Sequence, residues 1–438
     1  MKQIAVAMML IWLWLGLLVP AAAGQATGTS TQVSASSTRA TAEYTLPPEK
    51  LAKAHALYRL QLWYAAVATL YGVAVIYLLL RWKVAVRFRD LAERRTGRRW
   101  LQGLVVLSLL VGVLFAADLP WFVYLHSVSV KYGFSVQSWG GWFFDRFKDL
   151  ISEVVVGSIL ALILYTIIRR SPRRWWLYFW FASIPLILFG LLIKPTVIDP
   201  LYDRFEPLEK TNPALVAELE KVVHRGGLQI PPSRMFEMKA SDKVTLLNAY
   251  VTGLGSSKRV VVWDTTEKKL TTPEIMFVFG HEMGHYVLGH VLRGTLIAIA
   301  GTFFLLYFLF RASNWAFARW GKAWHIRALD DWASLPLIWL IVTILTIAGD
   351  PISNAISRHM EHEADIYAME VTHGLIPDQR QVAVHTFQVL GENGLSYPYV
   401  GRVAELLLWT HPTIRDRVRF VQEYDPWAEG KKPEFVKD

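Results

Sequence analysis

The chain has 438 residues, of which 53% are hydrophobic and 19% charged, with 19 tryptophans and no cysteine. That profile suits repeated crossing of a bilayer and argues against two or three ordinary soluble domains. The net charge of +10 sits largely in short connectors between apolar runs, which points to a cytoplasmic-leaflet bias and away from nucleic acid. Without cysteine there is no disulfide and no thiolate metal site, so any metal must be held by histidine and carboxylate.

Met1–Gly24 carries one lysine, an apolar run and small residues at 21–24, the pattern of a signal peptide or of a first apolar segment. Gln25–Ala42 is rich in Ser, Thr, Ala and Gly and has little to bury, so 25–60 reads as a flexible linker. Four apolar runs follow, Leu62–Leu80, Trp100–Ala117, Leu150–Ile168 and Trp176–Ile193, each of 18 or 19 residues. A bilayer-crossing helix needs about 20. Trp63, Trp82, Trp100, Trp175 and Trp176 stand near the ends of these runs, where interfacial anchors belong. A four-span membrane domain is therefore expected over 61–194.

Residues 195–290 are mixed in charge and globular in pattern. Asn212-Pro213 opens an amphipathic helix that ends at Gly226-Gly227. Met235–Met238, Asn248–Thr252 and Lys258–Trp263 read as short strands, with a turn at Gly253–Ser257. The next helix, with Thr272 as cap, Pro273 at its first position and Glu274 at its positive end, carries His281-Glu282-Met283-Gly284-His285. Beyond it Leu292–Phe310 and Leu335–Ala348 form a two-span hairpin over 291–349. Pro351 breaks the pattern, a separate helix runs over Ile352–Val371, and 350–438 completes the soluble part with a polar tail.

Residues four apart share one face of a helix, so His281 and His285 can both present a ring nitrogen to one tetrahedral zinc. Glu282 sits about 100° round the helix and points beside the metal, where a general base can take a proton from the attacking water. Catalytic zinc wants a third protein ligand. His290 falls nine residues after His281, which does not fit an extended metzincin motif, and reads as a supporting or surface residue of the same helix. Ser357-Arg358-His359-Met360-Glu361-His362-Glu363-Ala364-Asp365 offers the better candidate. Glu361 can bind the metal while Asp365, one turn on, fixes the ring of a ligating histidine. The Glu361…Asp365 spacing selects Glu361 over Glu363.

Taken together, these motifs resemble the integral-membrane zinc endopeptidases of the type I CAAX prenyl endopeptidase family and, more distantly, the HtpX heat-shock proteases. The likeness spans about Leu119–Phe420 and includes Lys131-Tyr132-Gly133-Phe134, the Pro200–Leu208 run, Asn248-Ala249-Tyr250, Ser357-Arg358 with Glu361 and Ala364-Asp365, and His411–Arg417. It implies a mainly α fold: a polytopic membrane helical bundle with a zincin-like catalytic domain and a small β-layer. It also implies one Zn2+ per chain on His281, His285 and Glu361, with Glu282 as base. The matching strand Asn248-Ala249-Tyr250 would hold substrate backbone, His411 would stabilise the oxyanion, and Arg417 would pair with a buried carboxylate. The expected partners are a membrane-associated or hydrophobic polypeptide substrate and the lipid bilayer, with no nucleic acid. The alternatives are an HtpX-like quality-control protease and an inactive scaffold that retains a zinc site.

Orientation is read from charge. Arg81–Arg99 carries eight Lys/Arg, Arg169–Arg174 four and Arg311–Arg327 four, all on one face by span count, against four in 25–61 and three in 118–149. The positive-inside rule puts those basic connectors in the cytoplasm and the catalytic part outside it. The resemblance implies the opposite side, since the eukaryotic relatives act in the cytosol. The signal-like N-terminus and compact Lys268–Pro273 loop look prokaryotic, and the charge reading is adopted.

Overall fold

Residues 43–253 and 259–436 are described by the structure, a computed structural model. The signal-like segment 1–24 lies outside the described residues, as does the turn beyond Gly253. The leading helices are α1 (Pro48–Arg81), α2 (Val84–Arg95), α3 (Arg99–Lys131), α4 (Trp139–Arg170) and α5 (Trp175–Ile193). α5 continues as a π turn at Lys194–Ile198 and ends at Tyr202. After it come β1 (Phe205–Pro207), α6 (Pro213–Arg225), β2 (Met235–Met238), β3 (Ala249–Thr252) and β4 (Arg259–Trp263). The last part holds α7 (Thr272–Val287), α8 (His290–Trp320), α9 (Leu335–Val371), α10 (Gln379–Asn393), α11 (Arg402–Leu408) and α12 (Ile414–Glu423). Six of these helical segments, built on α1, α3, α4, α5, α8 and α9, are long and apolar enough to cross a membrane.

The spans outrun their apolar runs. α1 begins at Pro48, inside the stretch read as linker. Tyr44, Leu46, Ala54 and Leu57 are buried in the same core as α7, and that apolar burial fixes the segment despite the polar run before it. α9 is one helix of 37 residues with Pro351 inside it, so the expected break does not occur. An interior proline costs a helix about 3 kcal/mol. Here both halves are packed, the first against the membrane bundle and the second against α7, and that burial offsets the cost.

The basic end of the bundle is closed by side chains. Arg89 of α2 donates to Asp331 at 2.6 Å with both side chains buried, and Tyr165 shares a 2.8 Å hydrogen bond with Ser334. At the other end β1, β2, β4 and β3 form a four-stranded sheet in that order. The β2–β4 pair is parallel and the outer pairs are antiparallel, with Ala249 opposite Val262 and Thr252 opposite Arg259. β3 is an edge strand and packs beside α7.

Candidate active site

α7 starts at a capping box one residue earlier than expected. The Glu274 carboxylate accepts from the backbone N–H of Thr271 at 2.6 Å and from its hydroxyl at 2.8 Å, so Thr271, not Thr272, is the cap. Two turns on, α7 meets α9 at glycines. A Cβ on Gly280 would lie 3.0 Å from Val371 Cγ1, and one on Gly284 would lie 3.1 Å from Tyr367 Cβ and 3.2 Å from the Ala364 backbone. This close approach is what brings Glu361 to the two histidines from 76 residues away (361 against 285).

Three atoms that could ligate a metal converge there. His281 Nε2 and His285 Nε2 are 3.2 Å apart, and the Glu361 oxygens lie 3.2 Å from the first and 3.4 Å from the second. One donor atom from each of the three falls within 4.8 Å of the others. Asp365 Oδ1 accepts from His281 Nδ1 at 2.8 Å. Arg417 of α12 grips Asp365 through two bonds, Nε to Oδ2 at 2.9 Å and an Nη to Oδ1 at 2.6 Å, while its guanidinium lies 4.4 Å from the Phe387 ring centroid. His411 Nε2 is 3.3 Å from Glu361 Oε1, and its Nδ1 is bonded to Thr410 Oγ1 at 2.9 Å.

Burial sets the charge states. Burial is the largest influence on His281 and opposes its charging, but the neighbouring Asp365 and Glu361 carboxylates together outweigh it and lift the pKa to about 10. Burial pulls His285 down to about 3 and lowers His411 as well. It pushes Glu282 up to about 7. Each is the expected response of a group taken out of water, modified by its charged neighbours.

A cavity of about 740 Å³ opens onto these groups, lined by Tyr58 and Tyr64 of α1, Asn248, Glu282, His411 and Trp409. Of the matching strand only Asn248 lines it. Ala249 is buried in the core beneath, and Tyr250 packs in the cluster around Met238 and Val261 on the other face of the sheet. What β3 offers at those two positions is therefore backbone along an edge that pairs with no strand among the described residues. Sequence reasoning misses the contribution of α1, because Tyr58 precedes the apolar run, in the stretch that reads as linker. His290, expected as a supporting or surface residue of the same helix, is removed from α7 by the structure. Gly289, at φ 69°, ends that helix, and His290 begins α8, buried and within 3.0 Å of His285.

Comparison with known proteins gives the family and the fold. The profile of Peptidase family M48 matches residues 209–425. The profile described as CAAX prenyl protease N-terminal, five membrane helices, matches residues 32–204. The uncharacterized metalloprotease YhfN of Bacillus subtilis is 34% identical over 356 residues, 80% of each chain. The chain belongs to peptidase family M48. Within that family it is similar to CAAX prenyl protease 1 of Saccharomyces cerevisiae, at 26% identity over 72% of this chain and 71% of that one. The crystal structure of S. mikatae Ste24p shares the fold, with a TM-score of 0.74 and 22% identity over 86% of this chain and 90% of that one. This M48 chain is a multi-pass membrane metalloendopeptidase.

Proposed function

We propose that this M48 peptidase binds one zinc ion through His281, His285 and Glu361 and hydrolyses peptide bonds of membrane-associated or hydrophobic polypeptides. The observation that carries the metal assignment is Glu361 Oε2. It is buried, yet among the described residues it accepts no hydrogen bond, although it lies 3.2 Å from His281 Nε2. A lone buried oxygen is costly unless something occupies its lone pairs, and a cation does so. A nitrogen-and-oxygen donor set with no sulfur suits zinc.

When bound, zinc supplies Lewis-acid polarisation of the scissile carbonyl and makes water more acidic. The chain's own groups do the rest. Glu282, on the cavity wall beside His281, takes a proton from the attacking water and delivers it to the leaving amine, so that peptide and water become a carboxylate and an amine. Asp365 holds the His281 ring with its Nδ1 proton inward and Nε2 toward the ligand cluster, and Arg417 keeps Asp365 ionised and in place. His411, with Nε2 toward the cluster, is positioned to steady charge that develops on the carbonyl oxygen. The open edge of β3 beyond Asn248 can pair with an extended substrate backbone. The likeness to proteins named CAAX prenyl protease supports a substrate with a lipid-bearing or strongly apolar end, which the cavity along α1 would accept.

The side of action is proposed from charge. The basic connectors 82–98, 171–174 and 321–331 cap the bundle end that Arg89 and Asp331 close, and the ligand cluster lies at the other end. By the positive-inside rule the cluster faces away from the cytoplasm, in a prokaryotic cell membrane. The metal claim is tested by chelation. Purified chain should lose cleavage of a hydrophobic peptide when stripped of metal and regain it with zinc; cleavage that survives complete stripping contradicts the proposal.

A further inference from the structure

His281 is held by a carboxylate directly, but His285 is not. Its Nδ1 lies 3.0 Å from Nδ1 of His290, the two rings standing nearly edge-on at 71° with centroids 5.1 Å apart. On its far side His290 Nε2 lies 3.0 Å from Glu363 Oε2. The same oxygen accepts from Arg293 at 2.8 Å, and His359 Nε2 is 3.6 Å from the other one. His290 is 4% exposed.

Proton positions in this chain follow from what each atom can do. An ionised Glu363, paired with Arg293, only accepts, so His290 Nε2 must carry a proton. A neutral His290 then has a lone pair on Nδ1, and two Nδ1 atoms at hydrogen-bond distance need one proton between them. That proton belongs to His285, which leaves His285 Nε2 bare and turned toward Glu361 and His281. The tautomer of a ligating imidazole is set by the bond its other nitrogen makes.

We propose that His290 and Glu363 are positioning residues for the metal, a relay that does for His285, through a second imidazole, what Asp365 does for His281. The proposal rests on the reading of His285 as a ligand. It also gives Glu363 a part in the site without making it a ligand.

The test is zinc affinity of the purified full-length chain, measured by competition with a chromogenic chelator and so independent of cleavage. His290→Phe keeps the ring volume and removes the acceptor; it should weaken zinc by roughly 10–100-fold, the usual loss when such a supporting partner is removed. His290→Asn puts an amide oxygen near the old Nδ1 position and should recover most of that loss. Glu363→Ala should weaken zinc, and Glu363→Gln, which keeps an acceptor for His290, should fall between it and the wild type. Wild-type affinity in His290→Phe would overturn the relay alone. Equal weakening in the Phe and Asn variants would overturn it too, by showing that the site needs only the native ring. A wild-type chain that takes up no zinc would overturn the relay together with the reading beneath it.

Discussion

In the proposed mechanism Glu282 sets the pH range in which the reaction can run. Burial raises its carboxyl from 4.5 to about 7 in the metal-free protein, and a general base must be ionised to accept a proton. As pH falls through that pKa the carboxylate protonates and the base is lost. A cation held by the neighbouring ligands favours the carboxylate and moves the transition downward. The acid limb of kcat/KM should therefore lie between 4.5 and about 7, with a slope of about tenfold per pH unit for a single group. Zinc content measured at each pH separates this from acid loss of metal. A flat profile down to pH 4.5 with zinc retained would contradict the assignment. At this scale the site was legible wherever its geometry is helical. His281 with His285, and Glu361 with Asp365, are each four residues apart on one helix. The His285–His290 contact was not legible, because it depends on the left-handed turn at Gly289, and a spacing of five across a broken helix fits no ligand pattern.

Among the elements, the pairing of α7 with α9 decides whether the ligands meet. Gly280 and Gly284 let the helix backbones approach so closely that a Cβ at either position is already tight. Gly284→Val would force two methyl groups against Ala364 and Tyr367. Overpacking of this kind typically costs 1–3 kcal/mol. The variant should show a lower Tm and a weakened zinc site even though no ligand is touched; unchanged zinc affinity would show that α7 and α9 are not held at this distance by the glycine face. The sequence displays both helices but not their contact. Pro351 gives a local reason to end a helix, and only the packing of both halves of α9 explains why it continues. The same holds for α1, whose first turns look polar locally and are fixed by Tyr44, Leu46, Ala54 and Leu57 in the catalytic core. Three of the four strands were easier to place, because their apolar residues are bounded by turn-forming ones, and β2 runs over Met235–Met238 as expected; β1, three residues ending in Pro207, carries no such pattern.

Across the whole molecule, six apolar helices place the ligand cluster and the basic connectors at opposite ends. Reporter fusions after Asp438 read the orientation. Alkaline phosphatase should be active there, and a fluorescent protein that folds only in the cytoplasm should stay dark; the reverse pattern would put the catalytic end in the cytoplasm. Whichever way it faces, the central claim is that a zinc held by His281, His285 and Glu361 works with Glu282 to cut peptide bonds. The most direct measurement determines zinc content and peptide turnover together in the wild type and in Glu282→Gln. The amide should leave zinc at one per chain and lower turnover by roughly 10²–10⁴-fold, the usual contribution of a general base. Turnover equal to wild type in a zinc-loaded Glu282→Gln chain would contradict the account.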